Sequence, residues 1–452
     1  MSRNLLTVVL AAGKGTRMRS DLPKVLHRIA GRPMLGHVLT LAGSVGGGKL
    51  AVVVGPDMEA VRKDALAAAP GVSVFVQQNQ AGTGDAVLAA REAIAGHAGD
   101  LLVLFADTPL ITAETVERLL GELDRGAAVA VLGFEAREAG SYGRLITGPD
   151  GSLAAIREAK DASPDELAVR LCNSGVMAFR LPAPLDVLGK IGNANAKGEY
   201  YLTDAIEIVR REGGRAAVVV CDEDEVLGVN SRGELAAAEA IWQRRARARA
   251  MAEGVTMIAP ETVWLSFDTV LGRDVVVEPN VFFGADVRVD EGAEIKANSY
   301  LEGAHVGAGA RIGPYARLRP GARLGRDVHI GNFVEVKNVT LGDGAKANHL
   351  AYLGDGSVGA KANIGAGTIF CNYDGFFKHK TEVGEGAFVG SNSALVAPVK
   401  IGAGAYIGSG SVITKDVAAD ALALERSSQD ERPGWAAKFR AMMARRKASA
   451  GK

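Results

Sequence analysis

The sequence has few cysteines, few aromatic residues and no excess of either charge. It contains three cysteines in 452 residues, Cys172, Cys221 and Cys371, and none lies in a CxxC pair or another spacing typical of a disulfide framework or zinc site. Lys and Arg together number 52, as do Asp and Glu. This balance excludes the overall basic field of a protein that binds nucleic acid or membranes non-specifically. We therefore expect charged ligands to be recognised locally and no nucleic-acid partner.

Long apolar runs are also missing. No stretch approaches the roughly 18 apolar residues of a membrane span. The apolar segment 5–12 ends in Gly13-Lys14-Gly15 without a signal-peptide cleavage pattern. Together with the scattered cysteines, these features predict a cytoplasmic protein without membrane insertion.

The length and composition indicate a globular protein of more than one domain. Hydrophobic residues make up 48% and charged residues 23% of the chain, but single hydrophobic cores stop growing near about 250 to 300 residues. Glycine is unusually frequent, with 57 residues, or about 13% against the usual ~7%. Such an excess favours a repeated structure.

The first half alternates short β-branched runs with longer segments rich in Ala, Leu, Glu and Arg. The runs at 7–10, 51–54, 101–105 and 128–131 are almost continuously apolar, which is typical of strands covered on both faces. We predict a mostly parallel, Rossmann-like α/β sheet. Segment 233–253 has strong helix formers and predicts a linking helix, which gives expected domains 1–232, 233–253 and 254–452.

The second half carries a six-residue repeat. Large apolar residues recur every six positions with occasional slips of one, which predicts a parallel β-helix whose triangular coils direct one aliphatic side chain inward from each side. The series comprises Leu271, Val277, Phe283, Val289, Ile295, Leu301, Val306, Ile312, Leu318, Leu324, Ile330, Val336, Leu341, Leu353, Val358, Ile364, Val383, Val389, Leu395, Ile401, Ile407 and Ile413.

Two segments interrupt or follow the repeat. Val383 follows Phe370 by thirteen positions where two sides would need twelve, so part of this segment is expected to leave the coil as a loop. The pair Phe376-Phe377 within it favours contact with a ligand or another subunit. The basic tail 432–452 contains no acid. It is expected to be a frayed, solvated end, with phosphate binding as the alternative.

A glycine-rich turn follows the first predicted strand. Lys14, Arg17 and Lys24 place three cations around Gly13 and Gly15. The turn has neither the GxxxxGK[ST] pattern nor the third glycine of the dinucleotide fingerprint. Backbone N–H groups and cations in such a turn favour a triphosphate ligand; the alternative is a solvated surface turn.

Asp107 follows the predicted strand 101–105. This position lies at the carboxyl edge of a parallel sheet, where α/β proteins bind ligands. Mg²⁺ usually takes only one or two protein oxygens and completes its shell with water and phosphate. Asp107 is therefore the magnesium candidate, although a helix cap is an equally simple role.

Several motifs together resemble a known family. The first half is similar to sugar-1-phosphate nucleotidyltransferases, and the whole chain up to about Arg426 resembles the bifunctional N-acetylglucosamine-1-phosphate uridyltransferase and glucosamine-1-phosphate acetyltransferase family. The motifs are Leu10-Ala11-Ala12-Gly13-Lys14-Gly15-Thr16-Arg17-Met18, Pro23-Lys24, Ala81-Gly82-Thr83-Gly84, Tyr142-Gly143-Arg144, Gly198-Glu199-Tyr200-Tyr201, Gly228-Val229-Asn230, Arg317-Leu318-Arg319-Pro320-Gly321, His349-Leu350-Ala351-Tyr352-Leu353-Gly354 and Asn363 to Gly375.

The resemblance implies a two-step synthesis of UDP-N-acetylglucosamine, a precursor of peptidoglycan and lipopolysaccharide. The second half, a left-handed β-helix, would acetylate glucosamine 1-phosphate with acetyl-CoA, and the first half would couple the product to UTP with Mg²⁺ and release pyrophosphate. In the first half the implied roles are catalysis and phosphate binding by Lys24, metal binding by Asp107 and Asn230, and nucleotide or sugar binding by Leu10, Ala11, Ala12, Gly13, Arg17, Gln77, Gly82, Thr83, Gly143, Glu158, Asn173 and Asn230.

In the second half the resemblance implies that His349 is the general base for the sugar amine. We add the hypothesis that Glu335 orients it. Substrate contacts would come from Arg319, Lys337, Tyr352 and Asn363, and acetyl-CoA contacts from Ala366, Asn372, Tyr373, Ser391, Ser409 and Arg426. Direct attack on a thioester needs no covalent enzyme intermediate, so Cys371 is expected to be a packing residue. The family implies a homotrimer formed through the β-helix.

Two alternatives remain at this point. The β-helix could serve only for assembly or regulation of a nucleotidyltransferase, and His349, Lys378 and the loop around Tyr373 are the features that discriminate. The chain could instead be a sugar-nucleotide sensor without catalysis, against which Lys24 and Asp107, retained together with Asn230, argue.

Overall fold

The computed structural model describes residues 3–46, 48–148, 151–180, 182 and 184–450. The chain divides into two compact units. The first comprises residues up to Arg249 together with Leu265–Phe267, and the second comprises Ala250–Trp264 and the chain from Asp268 onward. The predicted boundaries at 232 and 253 stay a prediction.

The first unit is built on a nine-stranded sheet. Its longest path has the order β11-β7-β10-β6-β1-β4-β5, and its neighbours are parallel except where β10 pairs with β6 and β7. In chain order the unit's strands are β1 Leu5–Leu10, β2 Arg28–Ile29, β3 Arg32–Pro33, β4 Lys49–Val54, β5 Ser73–Val76, β6 Asp100–Phe105, β7 Val129–Glu135, β8 Arg144–Thr147, β9 Leu153–Arg157, β10 Leu171–Phe179 and β11 Ala216–Cys221.

Helices cover both faces of this sheet, because the strands are apolar on both sides. All six residues of β1 are buried, and alternate residues belong to two different core clusters, Val9 to one and Val8 to the other. The helices are α1 Met34–Ser44, α2 Glu59–Ala68, α3 Thr83–Ala89, α4 Arg91–Ala95, α5 Ala113–Asp124, α6 Pro164–Leu167, α7 Pro184–Leu188, α8 Ala205–Arg211 and α9 Arg232–Ala252, with 3₁₀ turns at Thr16–Met18, Lys24–Leu26, Leu202–Asp204 and Glu223–Glu225.

The second unit is a parallel β-helix with three faces. One face pairs Val276 with Glu294, Arg311 and His329 in turn, steps of seventeen or eighteen residues that equal three six-residue sides. After a 3₁₀ turn at Pro260–Thr262, the described strands continue to a last helix, α10 Trp435–Ala450. The strands are β12 Thr256–Met257, β13 Val270–Leu271, β14 Val276–Val277, β15 Phe282–Phe283, β16 Val287–Val289, β17 Glu294–Ile295, β18 Tyr300–Leu301, β19 Ala304–Val306, β20 Arg311–Ile312, β21 Arg317–Leu318, β22 Ala322–Leu324, β23 His329–Asn332, β24 Glu335–Leu341, β25 Lys346–His349, β26 Tyr352–Val358, β27 Asn363–Ile364, β28 Ile369–Cys371, β29 Thr381–Val383, β30 Phe388–Val389, β31 Ala394–Val396, β32 Val399–Ile401, β33 Tyr406–Ile407, β34 Val412–Ile413 and β35 Leu422–Ala423.

The six-residue series forms the core of this coil. Every member is buried except the first, Leu271. Inward aliphatic side chains stacked coil on coil bury a continuous core that no single coil could bury alone. The predicted fold class, a mostly parallel α/β sheet followed by a parallel β-helix, is confirmed.

The structure corrects the expectation for the interruption after Phe370. Phe370 and Val383 lie on two consecutive sides, not three, so the segment between them replaces a single six-residue step and most of the excess forms a loop. The coil that carries it is correspondingly long, pairing Asn363 with Phe388. The loop exposes Phe376 and Phe377, which are 87% and 71% accessible.

The basic tail differs from its prediction as a frayed end. Residues Trp435–Ala450 form α10, and every side chain of this helix is exposed. Ala and Arg are good helix formers, so composition accounts for the helix. Lys452 lies outside the described residues. Among the helices that the structure describes, none is long and apolar enough to cross a membrane.

Candidate active sites

The glycine-rich turn of the first unit packs against Lys24. After β1 the chain passes through Gly15 into the 3₁₀ turn Thr16–Met18, and Gly15 has a φ of 63°. A Cβ built on Gly15 would lie 2.5 Å from the Cβ of Lys24. Only glycine therefore permits both this left-handed turn and the close approach of Lys24. Arg17 lies exposed on the 3₁₀ turn.

Lys24 joins the two proposed metal ligands. Its Nζ lies 2.5 Å from Asp107 Oδ2 and 2.9 Å from Asn230 Oδ1, and the side chain is nine-tenths buried. The backbone N–H of Val229 also donates to the carbonyl of Asp107 at 2.9 Å. Three residues far apart in sequence thus converge at the carboxyl end of β6, as the position of Asp107 predicts.

Gln77, Gly82 and Thr83 form the opposite wall. The amide of buried Gln77 donates to the Gly82 carbonyl at 2.9 Å and to Asp85 at 2.8 Å. Gly82 has a φ of 116°, and a Cβ there would lie 2.6 Å from the carbonyl oxygen of Tyr200. Thr83 Oγ1 accepts from the N–H of Leu202 at 3.0 Å. The wall is therefore fixed by the segment that contains the Gly-Glu-Tyr-Tyr motif.

These elements enclose a cavity of about 620 Å³, large enough for a nucleotide. It contains most of the predicted nucleotide residues, but Arg17, Gly143, Asn173 and Asn230 lie outside its lining. The lining residues are Leu10, Ala11, Ala12, Gly13, Lys14, Lys24, Val25, Gln77, Asn79, Gln80, Gly82, Thr83, Ala86, Phe105, Asp107, Glu158, Lys197, Glu199 and Tyr201.

The three predicted sugar residues lie next to one another, and Glu158 among them lines the cavity. The N–H of Asn173 donates to the carbonyl of Gly143 at 2.8 Å, and a Cβ on Gly143 would lie 3.4 Å from Glu158 Oε1. Burial raises the pKa of Glu158, and the charge of Lys197 opposes that shift. A glycine at position 143 leaves space next to the carboxyl group.

Sequence reasoning missed several lining residues, chiefly Lys197, Glu199 and Tyr201. All three belong to or adjoin the Gly198-Glu199-Tyr200-Tyr201 motif, which was noted as a family signature without a role for its side chains. The motif lies outside the regular strands and is distant in sequence from the glycine-rich turn. Its position in the sequence therefore does not predict that it reaches the site. Only the tertiary contact of Tyr200 with Ala81 and Gly84 brings it there.

In the second unit, His349 lies exposed at the end of β25. Its Nδ1 lies 2.8 Å from Asn332 Oδ1, and the two residues are paired on adjacent coils. The proposed orienting residue, Glu335, instead accepts from Arg319 at 2.7 Å and lies 3.6 Å from Arg317. The expectation for Glu335 was therefore wrong, because Asn332 holds the imidazole. The register of the two adjacent parallel strands places Asn332 directly beside His349.

Cations cluster on the neighbouring face. Lys337 and Lys378 lie close enough that the charge of Lys337 lowers the pKa of Lys378. Burial of Asp355 disfavours its charge, but hydrogen bonds from Asn338 and Asn372 and the two lysines outweigh it and lower the pKa of Asp355. Two ammonium groups in mutual repulsion are stabilised by a bound anion such as phosphate.

Tyr352 and Arg319 complete this cluster. Tyr352 is paired with Glu335, the partner of Arg319, on the adjacent coil, and its hydroxyl lies beside the backbone of Gly354. Asn363, on β27, is paired with Lys346 on β25 of the preceding coil. Asn372 is buried and donates to Asp355 at 2.6 Å, whereas Tyr373 is exposed on the loop and donates to the carbonyl of Gly375 at 2.6 Å.

The residues predicted to meet acetyl-CoA follow one corner of the coil. The carbonyl of Ala366 accepts from the N–H of Asn392, that of Ser391 from Gly410, and that of Ser409 from the side chain of Arg426 at 2.9 Å. Gly367 N–H in turn donates to His349 O at 3.3 Å. With about 4.8 Å between coils, this row offers an extended ligand a track that ends at the backbone of His349.

Comparison with known proteins identifies the family. Residues 7–173 match the model of the MobA-like NTP transferase domain, and residues 303–338 and 380–415 match the bacterial transferase hexapeptide model of six repeats. The proteins named bifunctional protein GlmU of Azorhizobium caulinodans and Nitrobacter hamburgensis are 61% and 59% identical, each over 97% of this chain and 98% and 97% of their own lengths. That of Rhodopseudomonas palustris strain BisB5 is 57% identical over 98% of both chains.

The chain belongs to the bifunctional GlmU family. The resemblance stated from the sequence motifs is confirmed over nearly the whole chain, and the two matched models are those of an NTP transferase domain and of the hexapeptide repeats of bacterial transferases. The chain is accordingly an enzyme with both transferase activities, which together match UDP-N-acetylglucosamine synthesis.

Proposed function

We propose that the second unit acetylates glucosamine 1-phosphate with acetyl-CoA and that the first unit then transfers UMP from UTP to the product, with release of pyrophosphate. The observation that carries the proposal is the pairing of two separate sites in one GlmU-type chain. One is the cavity that contains Lys24 and Asp107, and the other is the corner row that leads to His349.

For uridyl transfer, the sugar phosphate attacks the α-phosphorus of UTP and pyrophosphate leaves. The reaction needs alignment and charge neutralisation but no protein nucleophile. Residues 10–13 hold the nucleotide together with Gln77, Gly82 and Thr83. Lys24 neutralises the phosphates, assisted by Arg17 on the 3₁₀ turn. The sugar is bound by Gly143, Glu158 and Asn173.

The residues present fit a magnesium ion. The carboxylate of Asp107 and the amide oxygen of Asn230 both bind the Lys24 ammonium, so two oxygens already converge on one positive charge. Mg²⁺ prefers oxygen ligands and takes few from protein. Asp107 and Asn230 would hold it, and it would neutralise phosphate charge; Lys24 would then turn to the phosphates.

For acetyl transfer, the sugar amine attacks the thioester carbonyl and the CoA thiolate leaves. The amine must lose a proton, which Nε2 of His349 accepts, since Nδ1 is engaged with Asn332. Arg319 and Lys337 bind the sugar phosphate, Tyr352 and Asn363 position the ring, and acetyl-CoA lies along Ala366, Ser391, Ser409 and Arg426 beside Asn372 and Tyr373.

We also propose that the protein acts in the cytoplasm as a homotrimer formed through the β-helix. Its substrates are soluble sugar phosphates and nucleotides. The free thiols are typical of a reducing compartment, and flat repeat faces support packing around a symmetry axis.

The purified protein tests the proposal with glucosamine 1-phosphate, acetyl-CoA, UTP and Mg²⁺. We expect CoA thiol to be released, and pyrophosphate to form only when acetyl-CoA is present. Pyrophosphate from N-acetylglucosamine 1-phosphate without any thiol release would show that the β-helix is an assembly domain. Failure of both reactions would favour a sensor.

A further inference from the structure

Two segments that are distant in sequence meet at Lys24 in the first unit. Lys24 lies in the 3₁₀ turn Lys24–Leu26, and Asn230 lies just before α9. The ammonium of Lys24 joins them by its 2.9 Å hydrogen bond to Asn230 Oδ1. In the proposed reaction Lys24 turns to the phosphates, so this bond is given up when both side chains must be in place. Another contact has to keep the two segments together.

A second hydrogen bond joins the same two segments. Arg232 Nη1 donates to Nδ1 of His27 at 3.1 Å. A guanidinium group can only donate, so Nδ1 carries the lone pair and Nε2 carries the proton. His27 is only 5% exposed, and burial together with the positive charge of Arg232 lowers the pKa of its imidazole. His27 is therefore neutral at neutral pH and able to accept this bond.

The two hydrogen bonds are connected through short stretches of ordered backbone. The N–H of His27 donates to the carbonyl of Lys24 at 3.2 Å, which closes the 3₁₀ turn between them. Arg232 is the first residue of α9 and follows Asn230 by two positions. The N–H of Asn230 donates to Glu234 Oε2 at 2.8 Å and so attaches Asn230 to the first turn of the helix. Each partner in the bond between Arg232 and His27 is thus tied closely to one of the two side chains that meet.

The chain after His27 also packs against α9. The N–H of Ala30 donates to Glu239 Oε2 on this helix at 2.7 Å. Ile29 and Val229 are buried in one core cluster together with apolar residues of α9. The helix is therefore a common support for both segments. Because this support uses none of the side chains proposed to bind ligand, it persists when Lys24 changes partner.

We propose that Arg232 is a positioning residue for uridyl transfer: its hydrogen bond to His27 keeps the Lys24 turn and the Asn230 segment aligned when the Lys24 ammonium turns to the phosphates. The inference rests on the proposed function of the first unit. Among the described residues that line the cavity Arg232 is absent, so its effect passes through Lys24 and Asn230. A misplacement of about 1 Å at a reacting group can cost about 10² in rate.

The test compares two replacements of Arg232 with one control variant. Arg232→Met removes every donor at similar length, and Arg232→Lys retains one. Both are expected to fold, because Arg232 is exposed. Arg244→Met is the matched control, since Arg244 lies further along α9, is 61% exposed and pairs with Asp224 at 2.6 Å.

Four quantities are measured for each variant. They are kcat and KM for UTP in the pyrophosphate assay, the rate of thiol release by the same preparation, the melting temperature, and hydrogen–deuterium exchange. Exchange is followed by mass spectrometry of the protein without metal or nucleotide, in a peptide that contains the amide of His27. This last readout reports on the turn itself and does not depend on catalysis.

For Arg232→Met we expect kcat for pyrophosphate formation to fall about tenfold, the order expected for a hydrogen bond from a charged group. KM for UTP should change by less than about twofold, because the nucleotide wall is untouched. The His27 amide should exchange faster, while thiol release and the melting temperature stay normal. Arg232→Lys should lie within about threefold of the wild type, because one donor suffices, and Arg244→Met should match it.

The partner of Arg232 is tested separately with His27→Leu, which removes the acceptor. In this background Arg232→Met should add less than about twofold to the loss of kcat, because the bond is already gone. A full tenfold additional loss would show that Arg232 does not act through His27 and would overturn the inference.

An unchanged kcat in Arg232→Met would also overturn it, as would a lower kcat with unchanged exchange at the Lys24 turn. A lower melting temperature together with slower thiol release would indicate a merely structural role and would likewise contradict the proposal. These failures are distinct from failure of the proposed function, in which the wild type itself would form no pyrophosphate.

Discussion

The Nδ1 of His349 lies 2.8 Å from the amide oxygen of Asn332, its partner on the preceding coil. An amide oxygen can only accept a hydrogen bond, so Nδ1 carries the proton and Nε2 keeps its lone pair. The imidazole is also exposed. This is the tautomer and orientation that a general base for an incoming amine requires.

Replacement of Asn332 by alanine should impair acetyl transfer while leaving uridyl transfer intact. Without the amide oxygen the imidazole loses its fixed tautomer and orientation. A general base contributes about 10² to 10⁴ in rate, and we expect a loss of at least about tenfold in kcat for thiol release. Pyrophosphate formation from N-acetylglucosamine 1-phosphate by the same preparation is the internal control. Unaltered thiol release would contradict the role of Asn332.

Lys24→Met should impair uridyl transfer and leave acetyl transfer intact. The variant removes the only lysine that contacts both Asp107 and Asn230 in the described residues, and with it a cation beside the reacting phosphates. Loss of one such electrostatic contact costs about 10² to 10³ in kcat. Thiol release should be normal. Lys49→Met, an exposed lysine at the start of β4, serves as the control; equal pyrophosphate rates in the two variants would refute the assignment.

Asp374 should titrate near the bottom of the carboxylate range. The N–H of Phe377, the ring of His379 and the N–H of Phe376 all bind it, and they lower its pKa to about 2 from its ordinary 3.8. Because the folded loop favours the ionised form, its stabilisation is complete above pH 3.8 and is lost as pH falls towards about 2. A ¹³C titration of the side-chain carboxyl measures the midpoint. A value near that of an unstructured peptide, about 3.9, would contradict the loop geometry.

Cys371 should be dispensable for acetyl transfer. Burial raises the pKa of its thiol, which makes it a poor nucleophile at neutral pH, and direct attack by the amine needs no acyl-enzyme. We expect Cys371→Ala to release thiol at a rate within about twofold of the wild type. Mass spectrometry of the protein mixed with acetyl-CoA alone should show no acetylated cysteine. An acetyl adduct on Cys371 together with an inactive alanine variant would require a covalent route.

Much of the fold follows from periodicity. The six-residue series identifies the core of the β-helix because every coil must bury the same kind of side chain at the same place, and the apolar runs at 7–10 and 101–105 identify central strands. The loop after Phe370 was harder, because periodicity shows that residues are in excess but not which side of the coil carries them. The pairing of Thr381 with Gly356 settles that question.

The sites depend on contacts that spacing cannot give. The convergence of Lys24 with Asp107 is predictable, because a strand end and a neighbouring turn meet at one edge of a parallel sheet. Asn230 and Lys197 are brought to the site of the first unit only by tertiary packing. The choice of Asn332 over Glu335 as the partner of His349 depends on which residues share a face, and Glu335 is already bound to Arg319.

The central claim is that one chain carries two independent transferase sites, and His349→Ala tests it most directly. Thiol release and pyrophosphate release are followed separately with glucosamine 1-phosphate, acetyl-CoA, UTP and Mg²⁺, and then with N-acetylglucosamine 1-phosphate in place of the amine. We predict that the variant releases no thiol above about a hundredth of the wild-type rate and forms pyrophosphate normally from the acetylated substrate. Thiol release at the wild-type rate, or loss of both signals in a protein that remains folded, would contradict the account.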